Sequence, residues 1–151
     1  VRDKTDITLV FQFLLCPMID DRCVTPSSHM ITDERVWNRH SNLTAWKHYL
    51  QGENDAETAP FDDVSAYAAA SRAIDLSDLP PAYIAVGSVD AFVDENRDYA
   101  KRLETAGVAT QLAVFTGGFH GFEFIAPAAE ISKTARDSHY SALRNALFGK
   151  A

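Results

Sequence analysis

The sequence contains no stretch of 18 apolar residues, so nothing in it is long enough to cross a bilayer as a helix. It has no Lys/Arg cluster either. Fourteen basic residues are outnumbered by 21 acidic ones, for a formal charge of −7. A surface of that sign repels phosphate, which argues against nucleic acid and anionic lipid as partners. Cysteine is scarce, with only Cys16 and Cys23 present. They form no Cys-x-x-Cys pair, and no His/Cys group has the spacing of zinc ligands, so no metal and no cofactor is expected. Cys16 lies in an apolar run, where a buried free thiol is a simpler reading than half of a disulfide. A reducing, cytoplasmic setting fits that usage. No secretory leader, repeat or low-complexity tract is visible.

What is present is the composition of a folded chain. Hydrophobic residues make up 46% and charged residues 23% of 151. A chain of that size buries roughly two thirds of its unfolded surface. The first residue is Val1, and a strand begins within six residues of it, which reads as a fragment or a processed chain.

The run from Ile7 to Cys16 is β-prone, nearly all apolar and stopped by Pro17. It predicts a strand buried on both faces, as in a parallel sheet. Residues 20–40 are polar and irregular. Ser41 or Asn42 then caps a helix whose stripe is Leu43, Trp46, Tyr49 and Leu50, with Gly52 at its end. Residues 53–79 read as loops and short helices. Pro80-Pro81 leads into a second strand, Ala82 to Gly87. Asp94 caps a helix to Ala106 with Tyr99, Leu103 and Ala106 inward and Gly107 just past its end. A third strand covers Thr110 to Phe115. The last helix covers about 128–148, with Ile131, Ala135, Ala142, Leu143, Ala146 and Leu147 as its apolar stripe. Strand–helix–strand alternation implies an α/β fold, a parallel sheet flanked by helices.

In open α/β sheets, reactive groups gather at the carboxyl ends of the strands. Two such ends here carry an acid and an imidazole: Gly87-Ser88-Val89-Asp90 after the second strand, and Gly117-Gly118-Phe119-His120 after the third. An Asp that binds one imidazole nitrogen fixes the tautomer, and the other nitrogen is then free to act as general base. The plainer alternatives are an Asp that forms a turn and a His that is merely structural. Asp94 competes for the acid role but sits where a helix begins. His29, His40, His48 and His139 lie in loops or helices away from the strand ends, where solvation or packing is the ordinary role.

Several motifs together resemble one family. Gly87-Ser88-Val89-Asp90-Ala91-Phe92-Val93-Asp94-Glu95 resembles the acid-bearing loop of the hormone-sensitive-lipase-like esterases, Gly-x-x-Asp-x-x-x-Asp-Glu. The helix pattern from Tyr99 to Val108 is similar to the one that follows in that family. Gly118-Phe119-His120-Gly121-Phe122 resembles its base-bearing loop. Leu15-Cys16-Pro17-Met18-Ile19-Asp20-Asp21 is similar to its Tyr-Pro-x-x-Asp strand end, and Leu79 to Tyr83 to the lead-in of the acid strand. The resemblance spans essentially the whole chain.

The resemblance implies that residues 1–151 are the C-terminal part of a single α/β-hydrolase catalytic domain. It implies a carboxylic ester hydrolase with Asp90 as the orienting acid, His120 as the base and a small-molecule ester as substrate. Met18, Ile19, Phe92, Val93, Phe119 and Phe122 are candidates for the pocket wall, with core packing as the competing role of each. Glu123 would be structural. The family's nucleophile motif, Gly-x-Ser-x-Gly, and its His-Gly-Gly oxyanion segment are absent from this sequence. Ser27, Ser28, Ser65 and Ser88 are not in such elbows. The nucleophile is therefore expected on an N-terminal half that pairs with the first strand, and this chain alone is expected to be inactive. A homodimer through Gln111–Phe115 is also implied. The alternative is a non-catalytic small-molecule binder on the same fold. Other chemistries of the fold, or a signalling domain, explain the Asp-plus-His pair less well.

Overall fold

The computed structural model describes residues 2–50 and 63–149. Pro80 and Pro81 cannot donate to a ladder, so pairing begins right after them, and strand β2 runs Ala82–Gly87. It is the middle strand of a three-stranded parallel sheet. Its neighbours are β1 (Gln12–Leu15), where Gln12 pairs with Ala82, and β3 (Thr110–Phe115), where Gly87 pairs with Phe115.

Side chains alternate across a strand, and here the two faces have different partners. Ala82 and Ile84 pack with Tyr99, Ala100 and Leu103 of helix α3 (Val93–Thr105). Tyr83 and Ala85 pack with Ala142 of helix α5 (Glu130–Phe148) and with Phe13 and Phe115. Every residue of β2 is buried. The fold class read from the sequence is the one found.

The first strand departs from expectation. Only Gln12–Leu15 pair, and Ile7, Leu9, Val10 and Leu15 are exposed. The run was expected to be buried on both faces. Instead β1 has β2 on one side and no described strand on the other. The segment thus has the composition of an interior strand in the position of an edge strand.

Helix boundaries follow local capping. Helix α2 (Arg39–Leu50) starts earlier than expected because Asn38, not Ser41 or Asn42, is the cap: its Oδ1 accepts the Ser41 N–H at 3.0 Å. Leu43, Trp46 and Leu50 pack with Cys23 and Ala69, while Tyr49 is exposed. Gly52, the expected stop, lies outside the described residues.

Asp94 is not a cap either. It stands inside the first turn of α3, and its Oδ2 accepts the N–H of Ser27 at 2.8 Å. Ser27 belongs to the short helix α1 (Pro26–Met30), so Asp94 ties the polar segment onto the start of α3. Helix α3 ends as expected at Gly107. There φ is +83°, and the N–H groups of Gly107 and Val108 close onto Glu104 and Leu103.

Along α5 the buried positions are Ser132, Ala135, His139 and Ala142, while Leu147 of the expected stripe is exposed. A short helix, α4 (Phe122–Ile125), precedes it. No helix among the described residues is long and apolar enough to cross a membrane.

Candidate active site

The loops that follow β2 and β3 are laced to each other. Ser88 N–H donates to Phe115 O (2.9 Å), Val89 N–H to Gly118 O (2.9 Å) and Gly117 N–H to Ser88 Oγ (2.9 Å). Gly87 makes this approach possible. A Cβ built on it would stand 2.1 Å from the carbonyl oxygen of Gly118, closer than any side chain tolerates.

The lacing holds Asp90 and His120 against each other. Asp90 is 2% exposed. Its Oδ2 lies 3.1 Å from His120 Nδ1, and its Oδ1 accepts the N–H of Phe92 at 3.0 Å. With one ring nitrogen turned to a carboxylate, the proton is favoured there and the other nitrogen keeps its lone pair.

Aromatic rings enclose the imidazole. Phe92 meets it edge-on at 5.2 Å between centroids, and Trp37 lies over it at 5.4 Å. Cys16 approaches from the end of β1. Burial by itself would pull the His120 pKa down. The hydrogen bond to Asp90, the contact with Cys16 and the charge of Asp90 oppose that and raise it. These contacts steady the positive charge that the ring carries once it has taken a proton.

The residues expected to line a pocket separate into groups. Phe92 is against His120. Phe119 and Phe122 wall a small cavity of about 10 Å³ beside Asp90 and Cys16, room for roughly one water. Met18 packs instead against the Cys23–Trp46–Ala69 cluster, because the chain turns under α2 after Pro17. Ile19 joins the core beneath α3, and Val93 is buried in the first turn of that helix. A larger cavity of about 550 Å³ lies at the amino ends of the strands, lined by Ile7, Leu9, Gln12 and Pro80 among others. That is the wrong end of a parallel sheet for chemistry, and it holds neither Asp90 nor His120.

Two site residues escaped the sequence reading. Trp37 sits in the polar segment 20–40, where a lone indole among charged residues was the available signal. Cys16 was expected to be buried. It is partly exposed at the strand end with φ at +37°, and Cys23 is the buried thiol, its pKa pushed up to about 12 by burial. Both are free.

The other histidines stay out of this site. His29, His40 and His48 are exposed. His139 makes a second acid pair, with Nε2 2.7 Å from Glu123 Oε1, but Tyr83 Oη occupies its Nδ1 at 2.9 Å. With both nitrogens engaged between the sheet and α5, it has none left for a substrate.

Glu95 supports the site from below. It is 2% exposed, and its Oε1 accepts the N–H groups of Ile19 (2.8 Å) and Asp20 (3.2 Å), which fixes the loop after β1. Burial raises its pKa from 4.5 to about 8, with the backbone bonds opposing the rise. The folded state thus keeps a proton that the unfolded chain releases. The resulting stability is fully present below about pH 4.5 and is lost as pH rises through about 8. Glu95→Gln keeps the acceptor and removes the titration. It should flatten the fall of the urea midpoint between those two pH values, and an unchanged slope would contradict the assignment.

Comparison with known proteins bears on the family and the fold. A family model described as alpha/beta hydrolase fold matches residues 1–124. The chain is 31% identical over 131 residues to esterase LipI of Mycobacterium tuberculosis, covering 85% of this chain and 39% of that protein. Among solved structures, a bacterial heroin esterase is 39% identical with a TM-score of 0.89, covering 97% of this chain and 45% of its own. Esterase LipW from Mycobacterium marinum is 31% identical with a TM-score of 0.83, covering 97% and 43%. The chain therefore spans less than half the length of these relatives.

Proposed function

This chain belongs to the α/β-hydrolase fold family, and we propose that it is the part of a carboxylic ester hydrolase that supplies the acid and base of a Ser–His–Asp triad. The observation that carries the reading is the 3.1 Å contact between Asp90 Oδ2 and His120 Nδ1 at the carboxyl ends of two adjacent parallel strands. Asp90 orients the ring and steadies its positive charge. His120 takes the proton of a serine hydroxyl as that oxygen attacks the ester carbonyl, and returns it to the departing alcohol. Water then repeats the cycle on the acyl-enzyme. The esterases among its relatives support the substrate class.

The serine and the oxyanion donors belong, in this reading, to chain upstream of Val1. The outer edge of β1 supports that arrangement, since no described strand lies beside it and the apolar residues Ile7, Leu9 and Val10 just before it are exposed. A nucleophile-bearing strand paired there would cover them. The outer edge of β3 is the corresponding place for a second copy of the chain.

The test compares residues 1–151 with the longer protein on a p-nitrophenyl ester. The longer protein should turn over and react with a fluorophosphonate on one serine, while residues 1–151 should do neither. Robust turnover by residues 1–151 would sink the division of labour. A longer protein that binds small acyl compounds but takes no label would favour a non-catalytic binder.

A further inference from the structure

Cys16, Asp90 and His120 come from the ends of three successive strands. Their ligand atoms, a thiol sulfur, a carboxylate oxygen and an imidazole nitrogen, all lie within 4.8 Å of one another. Among the described residues no other group of three His, Cys, Asp or Glu side chains converges so closely. Sequence spacing gave no hint of it because each ligand sits on its own loop.

The donor set is selective. Sulfur, nitrogen and oxygen together suit ions of the Zn²⁺ class, which bind thiolate, imidazole and carboxylate in tetrahedral sites. Mg²⁺ and Ca²⁺ prefer all-oxygen shells with more ligands than this site offers. Three protein ligands with a position left open is the pattern of a reachable zinc ion and not of a sealed structural one. Asp90 is buried, while Cys16 and His120 are partly exposed. The ligands are also held by what surrounds them. Phe92 N–H binds the far oxygen of Asp90, Trp37 and Phe92 pack on the imidazole, and the Cys16 N–H donates to Ala85 O at 2.6 Å. Such outer contacts orient metal ligands.

We propose that Cys16, Asp90 and His120 bind a divalent cation of the Zn²⁺ class, and that the bound ion switches the hydrolase off. An ion on this trio occupies a lone pair of the imidazole or breaks its hydrogen bond to Asp90. Either event removes the proton acceptor from the serine. Binding stands on the geometry of the three side chains alone, whereas the inhibitory half rests on the function proposed above.

The experiment uses the full-length protein that carries this chain, stripped with a chelator. Zn²⁺ is titrated by calorimetry, and Co²⁺ serves as an optical probe whose thiolate charge-transfer band reports sulfur in the shell. The expected result is one ion per chain, a Co²⁺ band that disappears in both Cys16→Ser and Cys16→Ala, and affinity lowered at least about tenfold in each variant. Mg²⁺ should not compete. Zn²⁺ should depress ester turnover in the parent, and each Cys16 variant should resist it when measured against its own metal-free rate. No binding, or binding and band unchanged in the Cys16 variants, overturns the site. Binding as described without loss of turnover overturns the switch. A metal-free protein that hydrolyses no ester would overturn the proposed function while leaving the titration readable.

Discussion

Replacing His120 by Gln in the full-length protein is expected to lower kcat/KM on an ester by about 10⁴-fold or more, the scale seen when a triad loses its base. Gln matches the ring in reach but cannot take a proton. The loss should fall on kcat, because the imidazole acts on the reacting oxygen and not on the ground-state ester. Asp90→Asn is expected to cost a similar order, since the amide no longer selects the tautomer that leaves the outer nitrogen free. The two losses should not add. Once His120 is gone Asp90 has nothing to orient, so the double variant should match His120→Gln within a few-fold. Stability is a separate readout. His120→Gln removes the imidazole partner of the buried Asp90 and leaves it the Phe92 N–H among the described residues, and a modest loss of about 1–3 kcal/mol is expected from the weakened pairing of that carboxylate. A His120→Gln protein that folds and retains most of its turnover would remove the imidazole from the mechanism.

The second large effect lies at a residue that touches no substrate. Gly87→Ala places a methyl 2.1 Å from the Gly118 carbonyl oxygen, and the neighbour is backbone, which has little room to yield. The acid loop and the base loop must then separate. A displacement of about 1 Å between catalytic groups costs on the order of 10²-fold in rate, so activity should fall at least that far. Overpacking of this kind also costs about 1–3 kcal/mol of stability. Gly107→Ala is the matched control. Nothing lies within 4 Å of a Cβ there, and only the positive φ of +83° is strained. It should lose about 1 kcal/mol by thermal or urea unfolding and keep its turnover, because the end of α3 is far from the loops. If Gly87→Ala kept full activity, the close backbone crossing would not be what holds Asp90 to His120.

The contrast between what could be read from residue order and what could not follows from range. β2 and β3 were legible because continuous apolar runs bounded by Pro80-Pro81 and Gly117-Gly118 leave few options. Gly107 marked a helix end because a left-handed residue is needed there. The pairing of Asp90 with His120 was legible in the sequence because parallel strands bring their carboxyl ends together. The first strand misled for the same reason it was easy to see: apolarity reports what a segment is built to be buried against, not whether that partner is present. Asp94 grips Ser27 instead of capping α3 because that choice depends on a contact distant in sequence. Asn38 caps α2 through a local bond to Ser41, and with Asn38, Ser41 and Asn42 all able to cap, residue type alone does not choose among them. Trp37 and Cys16 reach His120 only through the folding of the polar segment and the left-handed turn at the end of β1. Neither leaves a periodic trace.

The most direct measurement is a crystal structure of the full-length protein after reaction with a fluorophosphonate. The account predicts phosphorus on the Oγ of a serine upstream of Val1. It also predicts the outer nitrogen of His120 at hydrogen-bond distance from that oxygen, about 2.6–3.2 Å, and Asp90 still on the inner one. A label on any other side chain, or a His120 ring turned away from the labelled atom, would contradict it.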